Sequence, residues 1–267
     1  MAINKNSNAY TFFFAIVMVV VVGVALAVVS QALKQPQKEN EATKKKMDIL
    51  GAIQVQADRS NASNLFEQYV TRRVAVDYLG NEVSAKEGEI AVGDKNDPFN
   101  IDVQKDYRTY VKKIVKENGK NQEALAKALA EAPVNYPVFE CKVEGKTVYV
   151  CPMVGTGLWG PIWGYVALED DFKTIYGAKF DHKTETPGLG AEINQADFQD
   201  KFAGRELNVG NETLFSVLKG GAPTDEHSVD GITGGTITSK GVDEMLNRTL
   251  PVYVKYLQSA NQQRAER

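Results

Sequence analysis

Val229-Asp230-Gly231-Ile232-Thr233-Gly234-Gly235-Thr236-Ile237-Thr238-Ser239 is the stretch that decides how the rest of the chain is read. It sets three glycines and four hydroxyl side chains just ahead of a helix-favouring run. That helix is expected from about Ser239 to Gln258, with Val242, Met245, Leu246 and Leu250 on one face and a kink at Pro251. Thr238 or Ser239 is expected to cap it, which turns its first amides toward the turn holding Thr236. An anion placed there gains from the unsatisfied N–H groups, and about 0.3–1 kcal/mol from the helix dipole. The same residues also make an ordinary cap and an ordinary Gly-Gly turn, so the stretch alone names no ligand.

Upstream lie two more glycine-dense segments, Gly155 to Gly164 and Glu185 to Glu192, and a third begins at Lys219-Gly220-Gly221-Ala222-Pro223. Glycine at this density lets backbone approach a flat or phosphorylated ligand. Neither a G-x-G-x-x-G fingerprint between strand and helix nor a P-loop lysine pattern is present, which argues against a free dinucleotide or ATP site. Val138–Val143 and Thr147–Cys151 read as a β-hairpin around Glu144-Gly145-Lys146, and Tyr165–Leu168 and Thr174–Phe180 as further strands. Between them Val154 to Gly164 reads as a glycine-rich turn. A two-residue hairpin turn pairs Cys141 with residue 148 and a three-residue turn pairs it with residue 149, so Cys141 and Cys151 are expected as two buried free thiols.

The first half of the chain is read more coarsely. A short helix capped by Ser60 or Ser63 carries Leu65, Phe66, Tyr69 and Val70. Arg73 to Leu79 is a strand closed by Gly80-Asn81. Gly88 to Lys105 is an exposed excursion, and Asn121 to Ala132 is a helix ended by Pro133.

Asn6 to Leu33 contains no charged residue, and Tyr10 to Val29 is almost wholly apolar. As a helix that run covers about 30 Å, enough to cross a bilayer and longer than the apolar region of a signal peptide. Pro36 is expected to break it, with a polar helix resuming from Gln37 to Ile53. The expected division is a cytoplasmic tail at 1–9, a transmembrane helix at 10–32, a membrane-proximal part at 33–135, a sheet-rich core at 136–260 and a polar tail at 261–267. The fold class is α+β, with a mainly antiparallel sheet and flanking helices behind one membrane anchor. A net charge of -3 and pI of about 5.6 give no reason to expect nucleic acid as a partner. Two histidines and two cysteines cannot build a His-rich metal site, a four-cysteine zinc site or an iron–sulfur cluster from this chain alone. No Ser-His-Asp set or catalytic carboxylate pair is evident, so neither catalytic nor metal-ligating residues are assigned.

Asp230-Gly231-x-Thr233-Gly234-Gly235-Thr236-x-Thr238 resembles the D-G-x-[ST]-G-A-T-x-T motif of the FMN-binding domain family, with Gly235 where alanine is usual. The resemblance implies that a flavin transferase joins FMN covalently, through its phosphate, to Thr236. Gly157-Leu158-Trp159 and Glu185-Thr186-Pro187-Gly188-Leu189-Gly190 are similar to the segments that family members wrap around the flavin ring. This implies ring contacts from Leu158, Trp159, Thr186, Gly188, Leu189 and Gly190, charge balance near the phosphate from Lys219, and a loop shaped by Asp230, Gly234 and Gly235. With the single anchor, the chain resembles the flavin subunits of sodium-translocating NADH:quinone reductases over about residues 31 to 258. The activity then implied is electron transfer within a complex that passes electrons from NADH to ubiquinone or menaquinone and exports Na+, with its other subunits as partners. The alternatives are the flavin subunit of an Rnf-type ferredoxin–NAD complex, where a glycine is expected in place of Leu158-Trp159, and a membrane-anchored domain that binds no flavin. The resemblance also implies a bacterial inner membrane with the flavin domain on the periplasmic side. Lys34, Lys38, Lys44, Lys45 and Lys46 after the span, against Lys5 before it, point the other way by the positive-inside rule.

Overall fold

The computed structural model describes residues 7–90, 93–119, 121–220 and 225–265. Gly221, Ala222, Pro223 and the extreme ends of both tails lie outside the described residues. Contacts divide the chain into a first unit, Met1–Lys45, and a second, Lys46–Arg267.

The first unit is helical. Helix α1 runs Asn8–Ala52 as one 45-residue element, and among the described residues it is the one helix long and apolar enough to cross a membrane. The apolar side chains along its first part, from Phe12 to Val29, are exposed. The break expected at Pro36 is not found, because the helix continues through it. A proline removes one amide donor, a cost of about 3 kcal/mol, and the residues around it are strong helix formers. Gln35 Nε2 donates to Glu39 Oε1 at 2.9 Å, and Thr43 Oγ1 donates to the Glu39 carbonyl at 2.9 Å.

In the second unit, α2 (Ala62–Tyr69) starts at Ala62 rather than at a serine cap. Asp58 Oδ1 accepts the amides of Ser60 and Asn61 and so shapes the entry to the helix. Val70 already belongs to β1 (Val70–Val76), which turns through Gly80, in positive φ, into β2 (Glu82–Glu87). Strand β2 was not foreseen: EVSAKE has little strand propensity and is held as an exposed edge by pairing to β1. Arg72 adds a fork onto Glu82, at 2.9 and 3.0 Å. Equally unforeseen is the helical stretch made of α3 (Val103–Asp106), a π turn at Tyr107–Val111 and α4 (Lys112–Asn118). Helix α5 (Gln122–Ala130) follows, capped by Asn121, whose side chain accepts the Ala124 amide.

Strands β3 (Tyr136–Val143), β4 (Lys146–Thr156), β5 (Pro161–Leu168) and β6 (Ile175–His182) complete an antiparallel sheet of order β2-β1-β3-β4-β5-β6. The stretches 33–135 and 136–260 both contribute strands to this one sheet, because β1 pairs with β3. Val143 opposes Lys146, so the β3–β4 turn is the two-residue Glu144-Gly145, both in positive φ, which matches the twist of the strands. Cys141 therefore opposes Val148, on the other face from Cys151. Both thiols are free and buried, and burial pushes their pKa values up. Of the expected glycine-rich turn, 154–156 extend β4 and 161–164 belong to β5, leaving only residues 157–160 as the turn.

The centre of the sheet, β1 and β3 to β5, is buried on both faces. Phe139 lies on one of them and meets the rings of Phe66 and Phe99 edge-on, under a cover that includes Ile49 and Leu50 from the end of α1. Arg73 is on the same face, only 1 % exposed. Its guanidinium forks onto Asp97 at 2.9 and 3.0 Å and donates to the carbonyls of Gly88 and Glu89. This corrects the reading of residues 88–105 as an exposed excursion: Asp97, Pro98 and Phe99 are buried because Arg73 and the aromatic cluster need them. Ahead of the last helix come α6 (Ala196–Gln199), β7 (Ser216–Leu218) and β8 (Ser228–Asp230), the two strands pairing in parallel.

The opposite face receives α7 (Thr236–Ala265), which continues through Pro251. It meets β4 residue by residue. Tyr253 donates to the Pro152 carbonyl, Arg248 Nη2 to the Val154 carbonyl at 2.6 Å, Met245 lies on Gly155 and Gly241 on Thr156. A Cβ at Gly155 would stand 2.9 Å from Met245 Cβ, so glycine there permits this approach.

Replacing Asp97 by Ala leaves the Arg73 charge buried without its carboxylate. A loss of about 3–5 kcal/mol in unfolding free energy is expected, read from urea unfolding followed by circular dichroism.

Candidate functional site

Three loops converge on the amino terminus of α7. In the β4–β5 turn the Gly157 amide donates to the Gly160 carbonyl at 2.8 Å, which closes the turn and leaves Leu158 and Trp159 at its tip, 50 % and 66 % exposed. After β6, the Thr186 carbonyl accepts the amides of Leu189 and Ala191, each at 3.1 Å, and Gly188 turns with φ +76 while its amide donates to Glu192. After β8, the Gly231 amide donates to the Leu218 carbonyl at 2.8 Å and the Gly235 amide to the Ile232 carbonyl at 2.9 Å. Gly234 takes φ +76, and an added Cβ would stand 2.6 Å from Leu189 Cδ2.

Helix α7 begins at Thr236, not at Ser239, and the two expected caps do other work. Ser239 Oγ accepts the Ile232 amide at 2.9 Å, tying the loop back onto the first turn. Thr238 is buried, and its hydroxyl donates to Glu185 Oε2 at 2.6 Å. Thr236, two residues earlier, is half-buried. The first amides of this 30-residue helix have no acceptor within it, so the positive end of its dipole falls at Thr236.

Glu185 is the residue the sequence reading passed over. It is 5 % exposed; Oε2 accepts from Thr238 and Oε1 accepts the Trp159 amide at 2.8 Å. Burial alone would raise its pKa, but the Thr238 hydroxyl and the amides of the 158–160 turn hold it below the usual carboxylate range. Its own amide donates to His182 Nδ1 at 3.1 Å. A carboxylate in this position would have been legible only as an acidic residue beside two glycines. Asp243 and Asn247 on α7 were also missed. They accept the amides of Val217, Leu214 and Phe215, and so fix β7 against the helix. Burial raises the pKa of Asp243.

Of the residues expected in the site, Trp159, Leu189, Gly190, Gly234 and Gly235 are brought into one neighbourhood by these contacts. Leu158, Thr186 and Gly188 are exposed on the same loops. Asp230 ends β8, and its carbonyl accepts from Lys201 at 3.3 Å. Lys219 is exposed, one residue past the pairing partner of Asp230, so Lys201 joins it as a cation at this edge. Gly235 is more constrained than its small size suggests, since a Cβ there would stand 2.9 Å from Ile232. Leu158, Trp159, Leu189 and Ile237 are all exposed large apolar residues, while Gly190 and Gly235 are buried beneath them. A hydroxyl at a helix terminus, beside apolar side chains and glycine backbone, fits a ligand with a flat apolar body and an anionic end.

This fold and this set of loops are those of an FMN-binding domain, and the family so described matches residues 157–251. The C subunit of the Na(+)-translocating NADH-quinone reductase of Vibrio vulnificus is 30% identical over 212 residues, 79% of this chain and 78% of that protein. Its counterpart in Haemophilus ducreyi is 44% identical over 98 residues, 36% of this chain and 38% of that protein. The crystal structure of the Parabacteroides distasonis counterpart is 36% identical, with a TM-score of 0.65, over 84% of this chain and 96% of that one. The chain belongs to the family of Na(+)-translocating NADH-quinone reductase C subunits.

A Cβ added at Gly190 would stand 2.5 Å from Glu185 Oε2 and would overlap Thr238 Oγ1. Gly190→Ala is expected to lower stability by about 1–3 kcal/mol through this overpacking, measured as a fall in the thermal midpoint.

Proposed function

We propose that this chain is the electron-transfer subunit of a sodium-pumping NADH:quinone reductase and carries FMN as a phosphoester on Thr236. The observation that carries the attachment is the contrast between two threonines. Thr236 stands half-buried at the helix terminus, whereas Thr238 is buried and its proton is committed to Glu185. When bound, the flavin supplies the redox chemistry. The chain's residues hold and orient it. The first amides of α7, with Lys219 and Lys201 nearby, stabilise the phosphate charge. Leu158, Trp159 and Leu189 offer apolar surface to the ring, and Thr186, Gly188 and Gly190 offer backbone. Asp230, Gly234 and Gly235 set the path of the loop. A covalent tether keeps the cofactor from dissociating while the open side of the site stays accessible to partner subunits. Joining FMN to a hydroxyl removes the elements of water, so attachment calls for an activated flavin phosphate and a flavin transferase to deliver it.

Tyr10 to about residue 32 serves as a bacterial inner-membrane anchor, with the flavin domain on the periplasmic side and electrons passing through the complex to ubiquinone or menaquinone. The lysine count against this side is weaker than it reads. Lys46 donates to Ser63 Oγ at 3.1 Å and lies 5.7 Å from the Phe66 ring centroid, so the fold of the second unit uses it. The relatives and the solved structure described above are named as subunits of this reductase rather than of an Rnf complex, and the Leu158-Trp159 pair is retained.

Co-expressed with a flavin transferase, the wild-type chain is expected to gain the mass of one FMN less one water and to fluoresce in a denaturing gel. Thr236→Ala loses both signals, and Thr238→Ala keeps the adduct at reduced yield; covalent flavin retained in the Thr236 variant would move the site elsewhere. Protease added to intact spheroplasts is expected to digest the chain from about residue 34 onward, whereas protection until lysis would place the domain in the cytoplasm.

A further inference from the structure

We propose that Glu185 is the positioning residue of the flavin site, a carboxylate clamp that sets the ring-bearing turn 157–160 against the acceptor end of α7. The inference rests on the attachment at Thr236, but the clamp itself stands on geometry. One side chain joins two elements distant in sequence: Oε1 holds the Trp159 amide at 2.8 Å, and Oε2 holds the Thr238 hydroxyl at 2.6 Å. The chain leaves room for that carboxylate and nothing more. A Cβ at Gly157 would stand 2.6 Å from Oε1, and one at Gly190 would stand 2.5 Å from Oε2. Two of the glycines that mark the flavin-contacting segments are therefore glycines because Glu185 occupies the space between them.

The clamp is also oriented from behind. His182 Nδ1 accepts the Glu185 amide at 3.1 Å, and His182 Nε2 meets the Asn194 side-chain amide at 3.3 Å. Charge favours the arrangement as well, because a carboxylate bound to the first turn of α7 lies at the positive end of its dipole. Hydrogen bonds to an ionised acceptor are about twice as strong as neutral ones, which suits a contact that must hold two exposed loops in register before any ligand arrives. Glu185 needs no contact with the flavin for this role. It acts through Trp159 on the ring side and through Thr238 on the attachment side.

Hydrogen exchange on the full chain in detergent, from a host without flavin transferase, tests the clamp independently of the cofactor. In Glu185→Ala the amides of 157–160 and of the first turn of α7 are expected to exchange faster together, while those of β3 and β4 are unchanged. Unchanged exchange in either segment overturns the proposal. Flavin transfer tests its purpose: the initial rate to Glu185→Ala falls roughly tenfold, the effect of about one charge-assisted hydrogen bond. Glu185→Gln retains an acceptor for Trp159 and a partner for Thr238, so its rate stays within about threefold of wild type. It loses the charge, so the midpoint potential of its flavin-loaded form shifts positive, a change that a purely structural role would not produce. A wild-type rate for Glu185→Ala overturns the proposal, as does Glu185→Gln as slow as Glu185→Ala. A wild-type chain that takes no flavin while the exchange result holds removes Thr236 as acceptor and leaves the clamp standing.

Discussion

The close crossing of α7 over β4 is the constraint on which the rest of the structure depends. Four positions of the strand between Pro152 and Thr156 receive Tyr253, Arg248, Met245 and Gly241 from one face of the helix. Such a line of contacts fixes the helix both along its axis and about it. Gly155 and Gly241 bring the backbones close enough for this, and Val242, Leu246 and Leu250 are fully buried against the sheet beside them. The position of Thr236, little more than a turn before Gly241, follows from where the helix is pinned.

With the helix terminus fixed, the loops need only reach it. The β4–β5 turn emerges from the strand that α7 crosses, so its tip falls near the terminus without a long excursion. The loop after β6 comes from the next strand but one and is drawn in by Glu185. The loop after β8 is delivered by the small parallel pair, which Asp243 and Asn247 hold to the same helix. The site is thus assembled around one helix by polar contacts, while its outward side keeps large apolar residues exposed. An exposed apolar surface lined with buried glycine backbone costs a free protein solubility, and covering it with a flat cofactor removes that cost.

The other face of the sheet is covered by different elements. The end of α1, α2 and the 98–100 turn cover it, and Arg73 with Asp97 closes its edge beneath them. A buried ion pair of this kind contributes little net stability, but it specifies which segment covers which strand. Here it commits residues 97–100 to the face that also carries Ile49 and Leu50.

The sequence by itself determined the elements whose cause is local. The apolar run from Tyr10 is long enough to cross a bilayer, the helix at Gln122–Ala130 has its Asn121 cap, and the strands from Tyr136 onward show hairpin chemistry at Glu144-Gly145. The glycine-dense loops ahead of α7 were legible because their residues stand next to one another in the chain. Whatever depended on contacts between distant residues was decided only by the tertiary structure. Strand β2 exists because β1 offers it a ladder, and Asp97 is buried because Arg73 is. Thr238 and Ser239 leave the capping role because Glu185 and Ile232 compete for their hydroxyls. No local pattern distinguishes Glu185 from any other acidic loop residue, since its meaning lies in two partners, 26 and 53 residues away.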